Sequence, residues 1–230
     1  MIPLIAGIVI ALFIAAFIYA VMKDGGHDKA RADLLRQFSE KNGFTFEEDT
    51  VVDLREKIRD LGGIGFANNR IRTAARRQDG DTTFYLFDQM RVTTGGVKGG
   101  HYTVCLAERS TPFGVEMIIN EVNNRVEAKV SRSMGSARAG LAAAELHDPA
   151  FDNQFVVFSG HAGQAAVYLP PEIRRLIAGH AARVKALLVV QVQGGQLAVH
   201  NSGLSPRTVA GVDELTALAS LARELAGAWQ

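Results

Sequence analysis

His101 and Cys105 are of the right types for a cysteine nucleophile and its general base. Their spacing argues against that use. Thr103-Val104-Cys105-Leu106 reads as strand, and residues four apart on a strand share a face but lie about 13 Å from each other at ~3.3 Å per residue. The two cannot hydrogen-bond, so Cys105 is expected to be an inert structural thiol. Of the remaining histidines, His147, His161, His180 and His200 give no reason to single out a partner for it. Residues 95–100, Gly-Gly-Val-Lys-Gly-Gly, look superficially like a phosphate loop. A Walker loop, G-x-x-x-x-G-K-[ST], opens a helix so that its amides and dipole face the phosphate. Here Lys98 is followed by two glycines between predicted strands, which implies a flexible connection. His147, Asp148, Asp152 and His161 are metal-ligand types at a spacing that fits no ligand template, and Asp148-Pro149 is expected to terminate a helix. No catalytic, cofactor-binding or metal-binding residue is assigned, no cofactor is expected, and the reading leans away from an enzyme.

The surface most suited to binding is an arginine–aromatic face. Arg70, Arg72 and Arg76 alternate along a predicted strand over 70–78, and Tyr85 and Phe87 share a face of a predicted strand over 81–93. Arginines interleaved with aromatics suit gripping phosphates or stacking on bases. Beside a membrane tether they also suit anionic headgroups, at about 1 kcal/mol per basic residue near the surface. The competing expectation is that a helix covers this face and the arginines snorkel or pair with acids. With 25 Lys+Arg against 24 Asp+Glu, a formal charge of +1, the chain is not held to nucleic acid by bulk electrostatics, and nucleic acid is not an expected partner.

These residues need elements to position them. At 230 residues the chain is one domain, or one domain with an appendage. One cysteine excludes an internal disulfide and any cysteine-based zinc cluster. Residues 1–22 contain no charge, and 22 helical residues span roughly 33 Å, enough for a ~30 Å hydrocarbon core. The run is too long for a signal-peptide h-region and lacks a positive n-region, so a retained transmembrane anchor is expected. Lys23, Lys29, Arg31 and Arg36 follow it, which by the positive-inside rule places the rest of the chain in the cytoplasm. Residues 23–30 form a hinge, and 31–230 form the domain.

Within the domain, a helix is expected from about His27 to Asn42, stopped by Gly43, then a short strand at Phe44-Thr45-Phe46 and a second helix from Thr50, its N-cap, to Gly62-Gly63. Asp79-Gly80 signals a hairpin that would pair Ala75 with Phe84, Thr73 with Leu86 and Ile71 with Asp88 on one largely apolar face. Strands are expected at His101–Glu108, Val115–Ile119 and Phe155–Phe158. The Ala-rich stretch Ser136–Leu146 is expected to be helical, and Leu169-Pro170-Pro171-Glu172 starts another helix. Gly194-Gly195 makes a second hairpin, pairing Val192 with Leu197 and Val190 with Val199. A last helix runs from Val212 to about Ala228, with Leu215, Leu218, Ala222, Leu225 and Trp229 in a stripe that must bury itself on the sheet or on a second copy. Strand runs flanked by helices imply an α+β fold with a mainly antiparallel sheet.

The helix ending Phe38–Gly43–Phe44, the strand Phe84–Asp88, Thr103-Val104-Cys105-Leu106, and the segments Phe151–Phe158, Leu169–Leu176 and Ala186–Leu204 resemble a family of bacterial proteins without known activity. Its members have one N-terminal membrane helix and a cytoplasmic α+β domain. The resemblance implies that architecture, at the bacterial inner membrane, and no chemistry. The expected function is a membrane-tethered, non-enzymatic interaction or assembly module. It touches the lipid bilayer through residues 1–22 and holds a protein partner, or further copies of itself, at the inner membrane. The alternatives are an anionic-lipid or small-ligand binding domain, and an enzyme whose site is assembled from distant residues.

Overall fold

The computed structural model describes residues 29–47, 51–58, 61, 69–92, 98–134, 140–183, 186–204 and 211–229. The expected anchor, the hinge through residue 28, the Thr50 N-cap and the Gly62-Gly63 stop lie outside the described residues. Among the described residues, no helix is long and apolar enough to cross a membrane.

A nine-stranded sheet organises the chain: β1 (Thr45–Glu47), β2 (Asn69–Asp79), β3 (Thr82–Val92), β4 (Lys98–Arg109), β5 (Met117–Glu121), β6 (Ala142–Ala144), β7 (Phe155–Ser159), β8 (Leu187–Gln193) and β9 (Gln196–Leu204). The spatial order is β1-β2-β3-β4-β9-β8-β5-β7-β6, and every neighbouring pair is antiparallel. The fold is α+β, as the element pattern implies. Period-two alternation sends Phe84, Leu86, Cys105, Ala107, Leu197, Val199, Val190 and Val192 to one face. The other face carries Tyr85, Phe87, Val104, Leu106 and Ala198 on one half, and Ile118, Val156 and Phe158 on the other.

Helices cover both faces. On the first lie α1 (residues 29–42), α4 (Pro149–Asp152), α5 (Ala165–Tyr168), α6 (Pro171–Ala181) and α7 (Val212–Ala228). Gly43 ends α1 at φ +69°, the left-handed conformation a helix stop needs, and Arg77 Nη1 donates to the last carbonyl, Asn42 O, at 2.8 Å. The α7 stripe is buried on this protein's own sheet: Leu215, Leu218, Ala222, Leu225 and Trp229 all belong to the main core. On the second face, α2 (Val51–Ile58) seats Leu54 and Ile58 over β2–β4, and α3 (Arg125–Met134) seats Ala128 over β7.

The β8–β9 hairpin has the expected register, Val190 opposite Val199 and Val192 opposite Leu197. The β2–β3 hairpin does not. Its turn is Gly80-Asp81, with Asp79 opposite Thr82, so Ala75 pairs with Leu86 rather than Phe84. Glycine occupies the first central position at φ +62°, as a type II′ turn requires. A bulge between Ile71 and Ala74 then reverses the strand's faces, and Ile71 packs with Ala74 and Phe87 under α2 instead of beside Ala75.

The Ala-rich expectation also fails. The helix comes earlier, at Arg125–Met134, and Ala142–Ala144 form an edge strand on Val157–Ser159. Gly140, at φ +74°, lies just before that strand. Asp148-Pro149 begins a helix instead of ending one, with Asp148 as N-cap of α4 accepting from Phe151 N, and Pro149 in the first turn.

The registers put one end of the sheet in order. Asp88 stands opposite Thr103, Thr103 opposite Asn201 and Asn201 opposite Leu188, whose amide donates to Glu121 Oε2 at 2.9 Å. Arg31 of α1 reaches Asp88, and α3 begins shortly after Glu121. Both helices therefore start at the same end of the sheet.

Candidate functional site

The arginine–aromatic face is largely covered. Phe87 is fully buried and Tyr85 is 6% exposed, both in the cluster capped by Leu54 and Ile58 of α2, so neither ring is an open stacking platform. Lys57 of α2 holds its ammonium 5.4 Å above the Tyr85 ring and forms an ion pair with Glu108 of β4. Burial works against the Lys57 charge, but the hydrogen bond and charge of Glu108 outweigh it and raise its pKa. The Lys57 carbonyl accepts from Gln196 Nε2 at 2.8 Å, which ties α2 to β9 as well. Arg76 is exposed, its guanidinium 6.0 Å from the Tyr85 ring. The side chains of Arg70 and Arg72 lie outside the description.

The remaining candidates are drawn into structural work or kept apart. Cys105 faces the core between Leu86 and Val199, and burial pushes its thiol up to about 12. His101 lies farther along β4, opposite Met90 and Leu204. Asp148 ion-pairs with Arg174 at 2.6 Å while capping α4, and Asp152 accepts from the amides of Leu146 and Asp148. His147 and His161 are exposed, and among the described residues no three ligand-type side chains gather to hold a metal. Of the glycine loop 95–100, residues 95–97 lie outside the described residues and 98–100 open β4.

Sequence reasoning missed three features. First, Asp88 interrupts the apolar face of β3. Thr103 Oγ1 donates to it at 2.7 Å and Arg31 Nε stands 3.9 Å away, while burial raises its carboxyl pKa against both. An acid continuing the alternation Phe84, Leu86, Asp88 was the available signal. Second, His200 is buried on the face between the α2 and α3 halves, edge-on to Tyr102 at 5.9 Å, and among the described residues neither ring nitrogen has a hydrogen-bond partner. Burial pushes it down to about 4. Third, α3 exposes Val126 (72%) and Val130 (49%), one turn apart on one side, with the exposed Lys129 beside them. The pair makes a small exposed apolar spot, and Val167 of α5 (75%) stands open by itself elsewhere.

No family model and no curated protein matches the chain. Among solved structures, that of the mycobacterial trehalose monomycolate transport factor A, TtfA, superposes with a TM-score of 0.55 at 10% sequence identity, covering 86% of this chain and 93% of that one. The likeness runs through nearly the whole domain, and at this identity it is a likeness of fold.

Proposed function

We propose that this chain is a non-catalytic module that holds a protein partner at the bacterial inner membrane, tethered by residues 1–22 with its domain in the cytoplasm. The observation that carries the reading is the domain-wide likeness of fold to a protein named as a transport factor. The role proposed here is accordingly an accessory one beside a membrane transport process. Two features support it. The side chains best suited to catalysis are used as core or caps, as Cys105, Asp148 and Asp152 are. The α3 side bearing Val126 and Val130 begins at the end of the sheet where α1 begins. By sequence α3 carries Arg125, Lys129 and Arg132 against Glu127, and Glu127 is engaged by Asn123. This suits a partner surface with an apolar centre and an acidic rim.

The test is gentle detergent extraction of the full chain from its own membranes, followed by mass measurement of the complex. A second chain in fixed ratio is the expected result, and a lone monomer defeats the reading. A second reading is favoured by the exposed Arg76 beside Tyr85: that edge touches anionic headgroups. It predicts that Arg76→Ala, combined with changes at Arg70 and Arg72, weakens a salt-sensitive preference for acidic over neutral bilayers.

A further inference from the structure

Among the described residues, the cleft between α6 and α7 gathers more positive than negative charge. It encloses about 180 Å³. Arg175, Gly179 and Arg183 line one wall at four-residue intervals, and Ser220 and Glu224, also four apart, line the other. Gly179 leaves the space open: a Cβ built there meets nothing within 4 Å. His180 belongs to the same wall. It is 6% exposed, and its buried Nε2 has no hydrogen-bond partner among the described residues. Arg175 Nε donates to Pro171 O, but the Arg183 guanidinium has no hydrogen-bonding or ion-pair partner among the described residues. Ser220 Oγ donates to Glu224 Oε1 at 3.1 Å, leaving Oε2 as an acceptor. Among the described residues, the charged and titratable groups lining the cleft with His180 are Arg175, Arg183 and Glu224. Burial and the Arg183 charge keep the imidazole neutral at pH 7, so the cleft presents two cations against one carboxylate.

We propose that this cleft binds a phosphate group that retains a proton, as inorganic phosphate, which keeps a P–OH at pH 7, or as a phosphomonoester taken up in its minor, singly protonated form. Guanidinium forks require anionic oxygens, and phosphate supplies them in matching geometry. Glu224 is acceptor-only and repels the oxygens of a fully deprotonated anion, whereas a P–OH donates to it. Sulfate has the same shape but no proton at neutral pH. The phosphodiester of an ordinary phospholipid has none either, so a lipid source would have to be a monoester headgroup.

The experiment is titration calorimetry on the full chain in neutral-detergent micelles at pH 7, with inorganic phosphate and sulfate compared at equal ionic strength. Phosphate is expected to bind at least about tenfold tighter than sulfate, a difference of one hydrogen-bonding proton. Gly179→Leu, which fills the open space, and Arg183→Ala are each expected to abolish binding while leaving the thermal transition in place. Glu224→Gln, which can donate to either anion, is expected to bring the ratio near one. Glycerol phosphate and a short-chain phosphatidic acid in the same micelles separate a soluble from a lipid source, and binding of either is consistent with the site. Absence of phosphate binding, equal affinity for sulfate in the unmodified chain, or binding that survives both Gly179→Leu and Arg183→Ala overturns the proposal.

Discussion

Arg109 and Trp229 are 120 positions apart in sequence and joined by a hydrogen bond, Arg109 Nη2 donating to the Trp229 carbonyl at 2.8 Å. The same guanidinium reaches Thr111 O and Pro112 O and lies 3.9 Å from the centre of the Phe113 ring. Trp229 Nε1 in turn donates to Tyr168 O at 2.8 Å. One buried arginine therefore fastens the end of α7 to the turn after β4, satisfying the Trp229 carbonyl that would otherwise be left at the helix terminus.

Arg109→Ala removes three charge-assisted hydrogen bonds and leaves the buried Trp229 carbonyl unsatisfied. It is expected to cost about 3 kcal/mol in denaturant unfolding. Amide exchange should accelerate first in the last turn of α7. Uniform acceleration across the sheet would count against the latch.

Phe87→Ala and Arg76→Ala distinguish a covered aromatic face from an open one. Truncating Phe87, which is fully buried under α2, is expected to cost about 3–5 kcal/mol by chemical denaturation, and Arg76→Ala less than about 0.5 kcal/mol. Similar small effects from both would show that α2 does not cap that cluster.

Stability should fall on acidification. Burial pushes His200, and burial with Arg183 pushes His180, from an ordinary 6.5 down to about 4. Between those values the unfolded chain binds more protons than the native one. Stability is therefore fully present above pH 6.5 and is lost as pH falls toward 4. For the enclosed His200 the loss is about 3 kcal/mol, and for His180, which borders a cleft, less. Urea unfolding at pH 7 and pH 4.5 measures it, and His200→Leu should shallow the slope. An unchanged slope in that variant would assign the acid sensitivity elsewhere.

Cys105 should be silent to alkylating reagents at pH 8 in the native protein and react on denaturation, because burial holds the thiol at about 12. Fast native labelling would revive a nucleophilic role.

Val126→Asp with Val130→Asp should cost less than about 1 kcal/mol in unfolding, since Val126 is 72% and Val130 49% exposed. The pair should nevertheless reduce recovery of the second chain on extraction. Unchanged recovery would move the partner's contact away from α3.

Much of the architecture was legible because it depends on short-range rules. Gly43 stops α1, Pro171 with Glu172 opens α6, and the alternation Val190, Val192, Leu197, Val199 builds a hairpin face; each involves residues within a few positions of one another. The α7 stripe was equally readable, but whether it met a sheet or a second copy was not.

What the chain's own sequence determined is therefore an α+β domain, most of its element boundaries and the apolar faces of its hairpins. Tertiary structure alone decided the rest. The bulge after Ile71 reverses a strand because Phe87 and Leu54 supply a second core for it. Ala142–Ala144 become strand because β7 offers an open edge, which overrides alanine's helical preference. Gly195 must be glycine because its Cβ position lies 2.3 Å from Arg109 O on another strand. The binding surfaces, α3 and the α6–α7 cleft, gain their meaning from what is left uncovered or unpaired after packing. Burial, orphaned polar atoms and missing counterions are properties of the whole packed chain, and no local pattern encodes them.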